Sequence, residues 1–262
     1  MIFLIDMFRT HKVLGVALAV ALAAACGGSG ESGKSASSAR KPAPDAKKVD
    51  PATAATIKGK VLWEGKEPAN PVIKMGSDPA CGTGELHAET YVVDQGGLKN
   101  VFVYVKDGLG NKWLFDPPTD AATIDQKSCH YVPHVVGVRA GSPLEVINSD
   151  ATLHNVHSMP KENREFNQGQ PLQGMSHKVT FENPEVLIPF KCDVHSWMNA
   201  YVGVVDHPYF AVSGAGGAFE LRGLPPGTYT IEAVHEKLGR QTQSVTLGEK
   251  DSKELTFSFK MP

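Results

Sequence analysis

From Ile57 to the C-terminus the chain is written in short apolar runs rather than long periodic ones. They include IKGKVLW, ETYVVD, LKNVFVYV, VVGVRAG, PLEVIN, HKVTF, EVLIPF and YVGVV, then AFELRG, GTYTIEAVH, QSVTLG and ELTFSF. Many alternate apolar with polar residues, recur about every ten positions and are separated by Gly, Pro, Asn and Asp. That rhythm predicts antiparallel strands of sandwiches or barrels, an all-β fold. VFVYV and TYTIEAV are apolar beyond strict alternation and are predicted as central strands. No stretch holds a helical period, and residues 161–176, polar with one aromatic, read as a loop or a short irregular helix.

The first part of the chain follows another pattern. Arg9, His11 and Lys12 precede an alanine-rich apolar run from Val13 to Ala25, too short for a spanning helix, which reads as a signal peptide over residues 1–25. The run ends in LAAAC, at Cys26. Residues 26–55 are Gly, Ser, Ala, Lys and Pro with almost no apolar bulk, so they are expected to be a flexible linker. The 26 glycines and 18 prolines agree with a turn-rich β protein. A net charge of -2 gives no basis for nucleic-acid binding.

Export changes the meaning of the four cysteines. Cys81 and Cys129 sit in loop-like stretches, DPACGTG and QKSCHYVPH, and in an exported chain are most simply a disulfide. A second metal site drawing on His87, His130 and His134 is the alternative. Cys192 lies in FKCDVHSWMNAYVGVV, where Cys192, His195 and Met198 recur at three-residue intervals on one loop. Upstream, a strand and turn in VINSDATLHNVHSMP bring a second imidazole, His154, followed by Asn155. His154, Cys192, His195 and Met198 together make a His₂Cys set with a weak axial thioether, which suits one copper ion cycling between oxidation states. Methionine is a poor ligand for zinc. His157, His177 and His207 are expected to be surface or hydrogen-bonded histidines.

RAGSPLEVINSDATLHNV followed by CDVHSWMNAYVGVV resembles the cupredoxins, the small blue copper proteins, over about residues 130–206. The resemblance implies a Greek-key β-sandwich and a type 1 copper site. His154 and His195 would be its nitrogen ligands, Cys192 its thiolate, and Met198 its axial ligand. Asn155 would tie the two ligand loops by hydrogen bonds. The exposed ring edge of His195 would be the exit for the electron, with Trp197 and Pro160 around it. GGAFELRGLPPGTYTIEAVHEKLG resembles the carboxypeptidase regulatory-like, transthyretin-related (prealbumin-like) sandwich. That family's opening strand resembles IKGKVLWEGKEP, 150 residues earlier. Two arrangements follow: a cupredoxin-like domain at 56–206 with a small sandwich at 207–262, or a cupredoxin segment inserted between the first and last strands of that sandwich. LAAAC resembles a bacterial lipoprotein processing site, which would make Cys26 the lipid anchor.

The function these features imply is an exported, lipid-anchored copper protein for one-electron transfer. It would sit in the periplasm or at the cell surface, on a bacterial membrane, the outer one by expectation, and serve an unidentified redox partner. The alternative is a periplasmic copper carrier or sensor that binds Cu(I) without redox turnover; a third reading is a structural module without metal. Enzymatic activity is not expected, because four protein ligands leave no open position for substrate.

Overall fold

Strand Ala55–Trp63 shows how sequence sets the architecture. Its alternate residues Ala55, Ile57, Val61 and Trp63 point inward and are buried. It pairs antiparallel with Ala218–Leu224 on one side and parallel with Ser252–Phe259 on the other. Gly97–Leu98 and Val93–Asp94 extend this sheet. A second sheet runs in the order Phe210–Val212, Phe102–Asp107, Gly227–His235, Gly239–Leu247. The two faces close on one apolar core that includes Ile57, Leu98, Val103, Ile231 and Phe257. The computed structural model describes residues 40–262 apart from Ser77 and Thr83, so the expected signal peptide and Cys26 lie outside the described residues.

A second sandwich occupies the stretch from Ala122 to Val205. One of its sheets has the order His130–Val132, Ala122–Lys127, Pro143–Asn148, Ser176–Thr180. The other has the order Val135–Arg139, Asn199–Val205, Glu185–Lys191, His154–Ser158, Asn167–Gln170. Ile124, Leu144, Val146, Ile188, Phe190 and Val202 fill the core between them. The protein is therefore all-β; among the described residues the only helical pieces are the single turns Pro79–Cys81 and Ala215–Gly217.

Of the two arrangements, a break at 206/207 and an inserted segment, strand pairing follows the second. Ala55–Trp63 and Phe102–Asp107 hydrogen-bond to strands from the last fifty-odd residues, not to the sheets at 122–205. The sandwich at 122–205 is inserted between Phe102–Asp107 and its antiparallel neighbour Phe210–Val212. The linker also differs from expectation. Arg40 donates its backbone N–H to Asp206 (2.9 Å) and lays its guanidinium 5.1 Å from the Phe115 ring centre. Lys47–Lys48 pairs with Trp113–Leu114. These contacts hold residues 40–54 against the folded body.

The two sandwiches share a third apolar cluster of Phe102, Tyr104, Val135, Val205 and Val234. This explains why VFVYV and YVGVV are too apolar for half-buried strands. Val103 and Val105 face the host core, whereas Phe102 and Tyr104 face the insertion. Gly137 and Gly203 are register partners in adjacent parallel strands, and the Phe102 ring lies on both. A Cβ on Gly203 would fall 2.5 Å from that ring.

His207, on the return crossing, is buried. Its Nε2–H donates to the Val105 carbonyl (2.8 Å), and Nδ1 accepts from the Tyr209 N–H (3.2 Å). Both nitrogens are satisfied only in the neutral ring. Burial pushes the imidazolium pKa down from 6.5 to about 4.

Two outcomes are expected. Gly203→Ala should lose about 1–3 kcal/mol of unfolding free energy, because an inserted methyl meets a ring already packed on both faces; an unchanged urea midpoint would refute the contact. For His207, the unfolded ring takes a proton below pH 6.5 and the folded one only below about 4. Stability is thus whole above 6.5 and lost as pH falls toward 4, by up to about 3 kcal/mol. Urea unfolding at pH 7.5 and 5 should show a smaller acid loss in His207→Gln than in the parent chain.

Candidate metal centre

The loop between Glu185–Lys191 and Asn199–Val205 closes on itself. Cys192 N–H donates to the Met198 carbonyl (3.2 Å) and Met198 N–H to the His195 carbonyl (2.9 Å). His195 N–H points back to Cys192 Sγ (3.4 Å), so the first turn wraps the sulfur. Spacing of three residues in this turn puts thiol and imidazole on the same side: Sγ lies 4.0 Å from His195 Nδ1. His154 opens the strand His154–Ser158 and presents Nδ1 at 2.9 Å from His195 Nδ1. One ligand atom each of His154, Cys192 and His195 falls within 4.8 Å of the others. The three residues are 0, 2 and 2 % exposed, respectively.

The outer nitrogens identify the tautomers. His154 Nε2 sits 2.9 Å from Asp150 Oδ2, and His195 Nε2 sits 3.0 Å from Asp78 Oδ2. With each Nε2–H donated to a carboxylate, both Nδ1 lone pairs face one another across 2.9 Å. Two acceptors at that distance repel unless a cation lies between them. Burial holds the His154 pKa below its ordinary value, so a proton is a poor occupant. Carboxylate-held imidazoles beside a buried thiol are a donor set able to hold a metal ion, and soft enough for copper. The Asp78 carboxyl is itself held below its usual range by Thr152, the Ala80 N–H and His195.

Asn155 sits between the ligand segments. Its Oδ1 accepts from the Asp193 N–H (2.6 Å) and the Cys192 thiol (3.3 Å). Its Nδ2 donates to Asn167 Oδ1 (2.7 Å) and Asp193 Oδ2 (3.0 Å). Met198 is buried in the core that also holds Cys192 and Phe190. His157 turns to carboxylates instead, with Asp193 at 2.9 Å and Glu165 at 2.8 Å.

Cys81 and Cys129 are joined, with Cα atoms 5.1 Å apart. Among the described residues His87, His130 and His134 do not converge as ligands. They line one cleft with Trp197, and His134 is held by Glu236 at 2.8 Å.

One expectation fails: the ring edge of His195 is not an exposed exit. A segment leaving the host sandwich after Trp63 crosses to the insertion, bonds through Cys81 to Cys129 and sets Asp78 on Nε2. The half-buried Trp197 lies nearer the surface, its ring 5.1 Å from that of His195 and its Nε1–H on the Cys129 carbonyl (2.9 Å). Asp78 and Asp150 were not singled out from sequence. Asp150 stands in the NSDATLHN turn, four residues before His154, and could have been found there. Asp78 is 117 residues from His195, beyond any local signal.

No family model matches this sequence, and no curated protein matches it. Among solved structures, a Cu-containing nitrite reductase (NirK) from Thermus scotoductus SA-01 aligns at 19% identity and TM-score 0.31. That alignment covers 37% of this chain and 24% of the reductase, so it spans about a quarter of that protein. A purple cupredoxin from Nitrosopumilus maritimus aligns at 24% identity over 32% of this chain and 98% of its own, TM-score 0.27. An oxidized amicyanin mutant aligns at 18% identity over 39% and 97%, TM-score 0.30.

Asn155→Ala should leave the Asp193 N–H and the thiol without their shared acceptor. Unfolding free energy of the metal-free protein is expected to fall by about 1–3 kcal/mol; a midpoint equal to the parent's would show that the amide does not bind the two loops together.

Proposed function

We propose that His154, Cys192 and His195 hold one copper ion, with Met198 as a weak axial ligand, and that the protein transfers single electrons. The observation that carries this reading is the pair of facing imidazole Nδ1 atoms beside a buried thiol, each ring braced from behind by a carboxylate. Bound copper would supply a one-electron couple. The chain's part is to exclude water and to fix the donors on two strands and a closed loop, so that little moves when the charge changes. Asn155 steadies the thiol and the loop together. Because His195 is covered, the electron passes by way of Trp197. An export signal, a lipid on Cys26 and a tether would hold the body at a bacterial membrane, where a redox partner meets it.

A copper carrier or sensor is the second reading. The enclosure of His195 by Asp78 favours it, since a covered ring edge slows electron exchange with a redox partner.

The visible spectrum of the Cu(II)-loaded protein separates the two. A strong thiolate-to-copper band is expected, lost in Cys192→Ser. It should be kept in Met198→Leu, where removing a weak donor to Cu(II) raises the reduction potential. A protein that takes up Cu(I) but shows no such band on oxidation sinks the electron-transfer reading and leaves the carrier.

A further inference from the structure

We infer that Cys81 and Cys129, once their bond is reduced, form with His195 a second site for a soft monovalent cation of the Cu(I) class. Their two sulfurs and a ring nitrogen of His195 lie within 4.8 Å of one another. The three residues are 3, 0 and 2 % exposed, so an ion there is shielded from water. Two thiolates and an imidazole are a donor set that soft cations prefer. In the oxidised chain the sulfurs carry no charge and act only as a cross-link.

The geometry does not depend on the sulfur–sulfur bond alone. Cys129 is held by Asp150, which accepts its N–H at 2.8 Å and that of Ser128 at 2.7 Å. Trp197 fixes the Cys129 carbonyl from the other side at 2.9 Å. Cys81 ends the turn Pro79–Cys81, which Asp78 caps by accepting the Ala80 N–H at 2.8 Å. Asp78 in turn is held by Thr152 at 2.7 Å. Met75, buried in the same core as both cysteines, anchors the approach. Opening the bond therefore leaves two thiols facing each other beside His195, and their deprotonation calls for a cation.

A dithiol reductant supplies the two electrons. Its own thiols become a disulfide, and its two protons pass to Cys81 and Cys129. Binding of Cu(I) then releases those two protons to solvent, and the metal keeps its oxidation state throughout. The site needs neither Cys192 nor His154 but shares His195 with the copper centre proposed above, so the two compete for that ring.

The full chain carrying Cys192→Ser isolates it. This variant is reduced with a dithiol, desalted without oxygen and titrated with Cu(I) held by the colorimetric chelator bicinchoninate. The reduced chain should withdraw one Cu(I), with affinity about a hundredfold above the oxidised chain. Adding Cys129→Ser, or separately His195→Ala, should remove that gain. Circular dichroism of the same samples should show the fold kept on reduction. Equal uptake by oxidised and reduced chains, uptake that survives Cys129→Ser, or unfolding on reduction overturns the inference.

Discussion

The covalent bond from Cys81 to Cys129 is the constraint around which the candidate metal centre is built. It joins an excursion of the host sandwich to a turn of the inserted one, across a sequence separation of 48. Closing a loop of that length in the unfolded chain removes entropy worth about 4 kcal/mol. Side-chain bonds also order the excursion: Asn70 bonds to Tyr91, and Asp78 to Thr152 and His195. Among the described residues between Trp63 and Val93 its regular structure is the two-residue ladder of Val72–Ile73 with Leu86–His87 and one helical turn. The same bond brings Asp78 to His195 and so decides which nitrogen faces inward. Cys129 occupies a turn where both it and Ser128 have positive φ, 53° and 54°. Non-glycine residues seldom accept that conformation. The Asp150 carboxylate takes both of their N–H groups and also orients His154, so one side chain stabilises the turn, the cross-link and a ligand.

Insertion of one sandwich into another is inexpensive because the two ends meet. Phe210 pairs with Tyr104, and the Val105 N–H donates to the Tyr209 carbonyl at 3.1 Å, so the host presents adjacent antiparallel strands where a hairpin turn would serve. A folded domain whose termini lie close together replaces such a turn without strain. The shared cluster around Phe102 then stops the insertion from swinging. Strand Asn199–Val205, which follows directly from the ligand loop, is buried on both faces. Rigidity at the site is thus borrowed from the host.

Most of the strand set was legible because apolar alternation reports half-buried β-structure. Ala55–Trp63, Pro143–Asn148, Gly227–His235 and Ser252–Phe259 stand where the pattern puts them. Asn167–Gln170 was not legible. Its side chains are polar, and it pairs with His154–His157 because buried Gln170 donates to the Val146 and Met175 carbonyls and accepts from Gln126. A strand held by amides leaves no hydrophobic trace. Ala122–Lys127 escaped for a related reason: Gln126 takes one of its inward places. The candidate ligands were visible in spacing and order, since a turn fixes what three residues can face. Asp78, which braces His195 from the host's excursion, was not, because no local rule connects it with His195.

On the copper reading, that bracing limits how charge can leave the site. A ligand imidazole at the surface offers a short path but also admits water, which reorganises whenever the charge changes. Here the carboxylate of Asp78 replaces that water with one fixed acceptor, and the protein gives up the direct edge. The nearest aromatic that reaches the surface is Trp197, held by the Cys129 carbonyl and lining the cleft that also contains His130 and His134. On the copper reading a partner must therefore address the indole rather than the imidazole. The cross-link that closes the centre also holds the indole in place, through the carbonyl of its own residue 129. Access and route are consequently set by the same few atoms, and a change at the disulfide reaches both.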